Sequence, residues 1–132
     1  MKFMLLQAYG GIERDDVPLM SEWTPEAIEA HITFQKDVNA ELKERGEFVD
    51  ARGLTTPDLA KFVVSDGGAA PVVTDGPFPE SKELLAGYRM IDVESIERAL
   101  EIAAQASAAP AHDGAPIEQS IEVREVMGLI EH

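Results

Sequence analysis

The sequence predicts an α+β fold, an antiparallel sheet with two helices covering one face. Three observations carry that reading. Two segments, 25–45 and 95–106, have the apolar spacing and end signals of amphipathic helices. Six short apolar or alternating runs read as strands. Their order is β, α, β, a β-hairpin, β, α, β, which is two β-α-β halves with an inserted hairpin, the ferredoxin-like pattern. A chain of 132 residues fills one domain, so 1–132 is read as a single unit.

Met1–Tyr9 is the first strand. Its apolar residues fall on both parities (Phe3, Leu5 and Tyr9; Met4, Leu6 and Ala8), as in a strand buried on both faces. Residues 10–22 have no periodicity and read as a loop long enough to be a lid or a partner contact. Thr24 suits an N-cap, Pro25 the first helical position and Glu26 the positive end of the helix dipole; Gly46, after Lys43 and Arg45, is a stop. Residues 25–45 then form a helix about 30 Å long.

Glu47–Leu54 reads as a strand. Ala60–Val64 and Pro71–Thr74 flank the turn signal Asp66-Gly67-Gly68 and form the hairpin. Leu85–Val93 is the next strand. In helix 95–106, Ile96, Ala99, Leu100 and Ala103 are expected inward. Ser107–Pro116 is an Ala/Pro/Gly loop, and Ile117–Met127 closes the sheet. Two helices cover only one sheet face. A first strand that is apolar on both faces therefore calls for a second cover, and a second copy of the chain supplies it: a homodimer is expected.

Acidic residues number 25 and basic residues 11, a formal charge of -14. Nucleic acid and anionic membrane surfaces need a basic footprint, so neither is expected as a partner. At 45% hydrophobic residues the chain has ample material for a core. No cysteine means no disulfide, thiol nucleophile or thiolate metal site. The apolar run Phe3–Ala8 is too short to span a membrane or serve as a signal peptide, so a cytoplasmic protein is expected.

The first helix carries the strongest site signal. Ile28, Ile32, Phe34, Val38 and Leu42 gather on one side, and His31, Gln35 and Asn39 lie within that same arc at i, i+4, i+8. Buried polar groups need partners, so this stripe faces either a hydrogen-bonding network or a pocket. His31 is accordingly either a satisfied core histidine or a general acid/base. Asp75, before Gly76-Pro77, is either a turn former or a carboxylate placed at a strand end for a site. Lys82 and Arg89 either pair on the surface with Glu80, Glu83 or Asp92 or point into the cleft, where they suit a carboxylate or phenolate. Tyr88 is read as core or interface, and His112 and His132 as solvated. The three histidines lack metal-ligand spacing, and there is no phosphate loop or dinucleotide fingerprint; no metal and no cofactor are expected.

Asp75-Gly76-Pro77-Phe78, followed by Glu80, Ser81-Lys82-Glu83 and Gly87-Tyr88, resembles the signature of the DGPF group of YCII-related proteins. The resemblance extends to the Met-Lys-Phe-Met-Leu-Leu opening, Gly53-Leu54, Val72-Val73-Thr74, the helix 95–104 and the closing Ile121-Glu122-Val123-Arg124. Arg89, where an aromatic or aliphatic residue is common, and Glu125, where proline is common, depart from it. The resemblance implies a dimeric α+β barrel and an enzyme proposed to use a His and an Asp in a pocket. Asp75 matches that Asp by motif, and His31 matches the His by lying in the first helix. Two functions follow as expectations. One is a small-molecule-binding or cofactor-free acid/base domain using catalytic His31 and Asp75, with Gln35, Asn39, Lys82 and Arg89 binding ligand. The other is a non-catalytic regulatory or partner-binding module, linked through the resemblance to an extracytoplasmic-function sigma factor.

Overall fold

A computed structural model of the chain describes residues 1–8, 22–55, 59–76 and 85–128. Its elements are β1 (Lys2–Ala8), α1 (Pro25–Glu44), β2 (Phe48–Gly53), β3 (Lys61–Val64), β4 (Val72–Asp75), β5 (Leu85–Asp92), α2 (Ile96–Ser107) and β6 (Ile121–Glu125). Four strands make an antiparallel sheet in the order β2-β5-β1-β6. The two central strands come from opposite halves of the chain, with Phe3 opposite Ile91 and Leu5 opposite Arg89. This is the predicted α+β architecture. Among the described residues β3 and β4 pair with each other alone, as a separate two-stranded ribbon.

The helices begin where the sequence says they should. The Thr24 hydroxyl accepts from the Ala27 amide at 3.1 Å, and Pro25 opens α1. Ser95 caps α2 by accepting from the Arg98 amide at 3.2 Å. Past α1, Gly46 takes a positive φ of 70°, a conformation that side-chain-bearing residues rarely adopt.

The core lies between the helices and the sheet. Phe3, Leu5, Ile91 and Val93 from the strands meet Val38 and Leu42 of α1 and Ala99, Ile102 and Ala103 of α2. Both helices are rotated slightly from the expected faces. Ile32 is exposed on α1, and Ile96 and Leu100 are exposed on α2, where Ile102 and Ala106 are buried instead. At 100° per residue, Ile32 stands about 120° from the middle of the arc Phe34–Val38–Leu42, and Leu100 about 140° from the Ile102–Ala106 line.

The last strand is shorter than expected. Glu118 has a positive φ of 54°, which interrupts an extended run, and pairing begins at Ile121. The residues before it do other work. Ile117 joins Trp23, Ala109 and Ala111 in a second buried cluster that pins the 109–117 loop against the start of α1. Gly76, just after β4, is also fixed by packing: a Cβ there would come within 2.3 Å of the Phe62 ring. No helix among the described residues is long and apolar enough to cross a membrane.

Candidate functional site

The polar stripe of α1 is turned inward, onto β5. Gly87, Arg89 and Ile91 share the helix-facing parity of β5 and are all buried. Arg89 is 3% exposed. Its Nε donates to Asn39 Oδ1 at 2.7 Å and its Nη2 donates to Gln35 Oε1 at 2.8 Å, with a longer contact of 3.5 Å to the Gln35 carbonyl. Gln35 and Asn39 are one helical turn apart, so their two amide oxygens line up along the Nε–Nη2 edge of the guanidinium. Three of the sequence-predicted ligand-binding residues therefore meet at one point.

The acceptors that hold Arg89 are all neutral. Among the described residues no carboxylate hydrogen-bonds to it. Two donors of the cluster, Arg89 Nη1 and Gln35 Nε2, are buried without a partner. Burial pushes the guanidinium below its ordinary value, yet arginine remains charged at neutral pH. The seam between α1 and the sheet thus encloses one positive charge and unused donor capacity.

His31 is one turn further toward the start of α1 and half-buried. Its Nδ1 lies 3.0 Å from the Pro110 carbonyl oxygen. A carbonyl only accepts, so Nδ1 carries the hydrogen and Nε2 of the neutral ring keeps its lone pair. The ring stands edge-on to Trp23, centroids 5.7 Å apart at 81°. His112 approaches the same indole at 6.3 Å and 50°. This corrects the expectation that His112 is solvated. It is half-buried, because the loop bearing it is drawn in by Ala109, Ala111 and Ile117, and its Nδ1 is buried without a partner. Beside Pro110, an open groove of about 480 Å³ runs along Glu26, Glu29, Thr33, Phe34 and Asp37.

Asp75 stands at the end of β4, exposed, in an ion pair with Lys61, its cross-strand neighbour. Neither Asp75 nor His31 hydrogen-bonds to the other. Lys82, Pro77-Phe78 of the turn motif, residues 10–21 of the long loop, and His132 lie outside the described residues. Tyr88 faces away from Arg89 and donates to Asp50 Oδ2 at 3.0 Å. That bond to a carboxylate holds the phenol proton and raises the Tyr88 pKa. No group of three or more His, Asp or Glu side chains is arranged to hold a metal ion among the described residues.

Sequence reasoning did not single out Trp23. A signal existed: Trp23 precedes the N-cap Thr24, and Ile28 is the fourth helical residue. This is the spacing of a hydrophobic staple, and Ile28 does pack against the Trp23 cluster.

Comparison with known proteins bears on most of the chain. A family profile for the YCII-related domain matches residues 1–127. An uncharacterized protein of Rhizobium meliloti (strain 1021) is 31% identical over 110 residues, covering 83% of this chain and 84% of that protein.

Proposed function

We propose, for a chain that belongs to the YCII-related family, a small-molecule-binding domain in which the ligand sits at the seam between α1 and the sheet and His31 acts as a general acid/base without a cofactor. The observation that carries this reading is the inward polar stripe of α1. His31, Gln35 and Asn39 are each held by a specific partner rather than by solvent. With Nδ1 anchored on Pro110, His31 Nε2 is the atom available to take a proton. Asp75, the carboxylate of the DGPF-type turn, is paired with Lys61 and not with His31. A catalytic role for Asp75 thus predicts that Lys61→Ala leaves turnover intact, while Asp75→Asn abolishes it.

A homodimer fits the same reading. Met4, Leu6, Tyr88 and Met90 lie on the sheet parity opposite the core, paired across β1 and β5, and a second copy would cover them.

The test uses Trp23, the single tryptophan of the chain, whose ring touches His31. Titration with phenol, cyclohexanone and benzamide should give saturable changes in Trp23 fluorescence, lost in Gln35→Ala. A flat response across the set would overturn the reading.

A second reading, a partner-binding module of the kind linked to a sigma factor, is favoured by one observation. Val63, Val64, Val72 and Val73 on the β3–β4 ribbon are 58–70% exposed, an apolar display outside the main sheet. Val64→Lys with Val72→Lys should then abolish capture of a partner while ligand binding at α1 is unchanged.

A further inference from the structure

The geometry points to a compact monocarboxylate as the ligand class of the α1–β5 seam, bound by Arg89 Nη1 and Gln35 Nε2. This deepens the small-molecule reading above and rests on it.

A charged group withdrawn from water is tolerated when an opposite charge or a full set of hydrogen bonds answers it. Arg89 has five N–H donors. Its Nε and Nη2 are used by Asn39 and Gln35, both through neutral oxygens. Nη1 has no partner, and neither does the Gln35 amide nitrogen. The two orphaned groups belong to side chains already hydrogen-bonded to each other. Both are donors, so only an acceptor completes the site, and a carboxylate accepts from both while cancelling the charge.

Charge and size narrow the class. One buried cation is neutralised by one negative charge. A dianion would leave an unanswered charge in the interior, in a chain that already carries -14. Arg89 is 3% exposed, so what reaches it is small. The carboxylate meets Arg89 from the Nη1 side, because the Nε–Nη2 edge is already occupied by the two amide oxygens.

The probes are acetate, propanoate and benzoate against acetamide, propanamide and benzamide, with succinate and chloride as controls, all at constant ionic strength. Isothermal titration calorimetry and thermal unfolding are the readouts. The monocarboxylates should bind saturably and raise Tm, and the matching amides should bind about tenfold or more weakly. Arg89→Gln should lose that preference. Gln35→Glu supplies the missing carboxylate within the chain: it should raise Tm without ligand and abolish the response to benzoate. This second variant keeps the test valid if Arg89→Gln does not fold. Equal binding of benzoate and benzamide would overturn the carboxylate assignment and leave a small-molecule site standing. No binding of any probe would overturn both. Stabilisation by chloride equal to that by acetate, or undiminished benzoate binding by Gln35→Glu, would also overturn the assignment.

Discussion

Arg98 on α2 and Arg89 on β5 carry the same charge into two differently furnished surroundings. Arg98 meets a carboxylate as a fork: Nε donates to Glu47 Oε2 at 3.0 Å and Nη2 donates to Glu47 Oε1 at 2.9 Å, with Glu101 on Nη1 at 3.1 Å. That bidentate pair ties the start of α2 to the entry of β2. The hydrogen bonds from Arg98 hold the Glu47 carboxyl below its ordinary value and raise the Arg98 pKa. Arg89, more deeply buried, meets amide oxygens alone among the described residues and keeps one nitrogen unused. The first arrangement is closed and needs nothing from outside. The second is complete in shape and incomplete in charge, as the proposed binding position requires.

The largest effect that separates the two is on stability. Arg98→Met leaves the Glu47 carboxylate, whose side chain is only 14% exposed, with Arg45 at 3.2 Å in place of a bidentate partner, and should cost about 2 kcal/mol in urea denaturation. Arg89→Met removes a buried charge that no carboxylate of the described residues answers. The loss of its two short hydrogen bonds is offset by the desolvation no longer incurred, so it should cost less than about 1 kcal/mol. If Arg89→Met is the more damaging of the two, the α1 seam is a structural network and the comparison breaks.

A smaller effect is expected with pH. The folded-state pKa of Glu47 lies below its ordinary value of 4.5. The pair therefore contributes its full stability above that value and loses it as pH falls through the lowered one. Wild-type stability should decline from about pH 5 downward. In Glu47→Gln the decline should be shallower and the starting stability lower. Among the described residues Arg89 has no acidic partner to titrate, so Arg89→Met should keep the acid limb of the wild type. Urea midpoints at pH 3.5, 5 and 7 would show it.

The sequence carried the fold through local signals. Thr24-Pro25-Glu26 and Ser95 start the helices where expected, and the apolar parity of Phe3 and Leu5 finds the core. It carried the site halfway. The stripe His31, Gln35, Asn39 follows from helical spacing alone. That Arg89 is its partner does not follow, since it depends on β5 lying centrally, antiparallel to β1, with Arg89 opposite Leu5. Sequence adjacency offered Arg89 the surface carboxylate Asp92 instead, but Asp92 is on the opposite parity and pairs with the amino terminus. Trp23 and His112 come together through a loop closure across nearly ninety residues, for which no periodicity exists.

The smallest expected effect concerns Asp75 and separates two meanings of a motif residue. Its ion pair with Lys61 joins two exposed side chains at the open end of a ribbon that pairs outside the main sheet. Such pairs contribute little, because water screens both charges and two flexible side chains must be held still. Asp75→Asn should leave the urea midpoint within error of the wild type and leave benzoate binding at Arg89 unchanged. A stability loss as large as that of Arg98→Met would mean that the turn organises the fold. A change in ligand binding with no change in stability would instead bring the ribbon end to the α1 seam in the bound state, and it would make Asp75 part of the site that Arg89 begins.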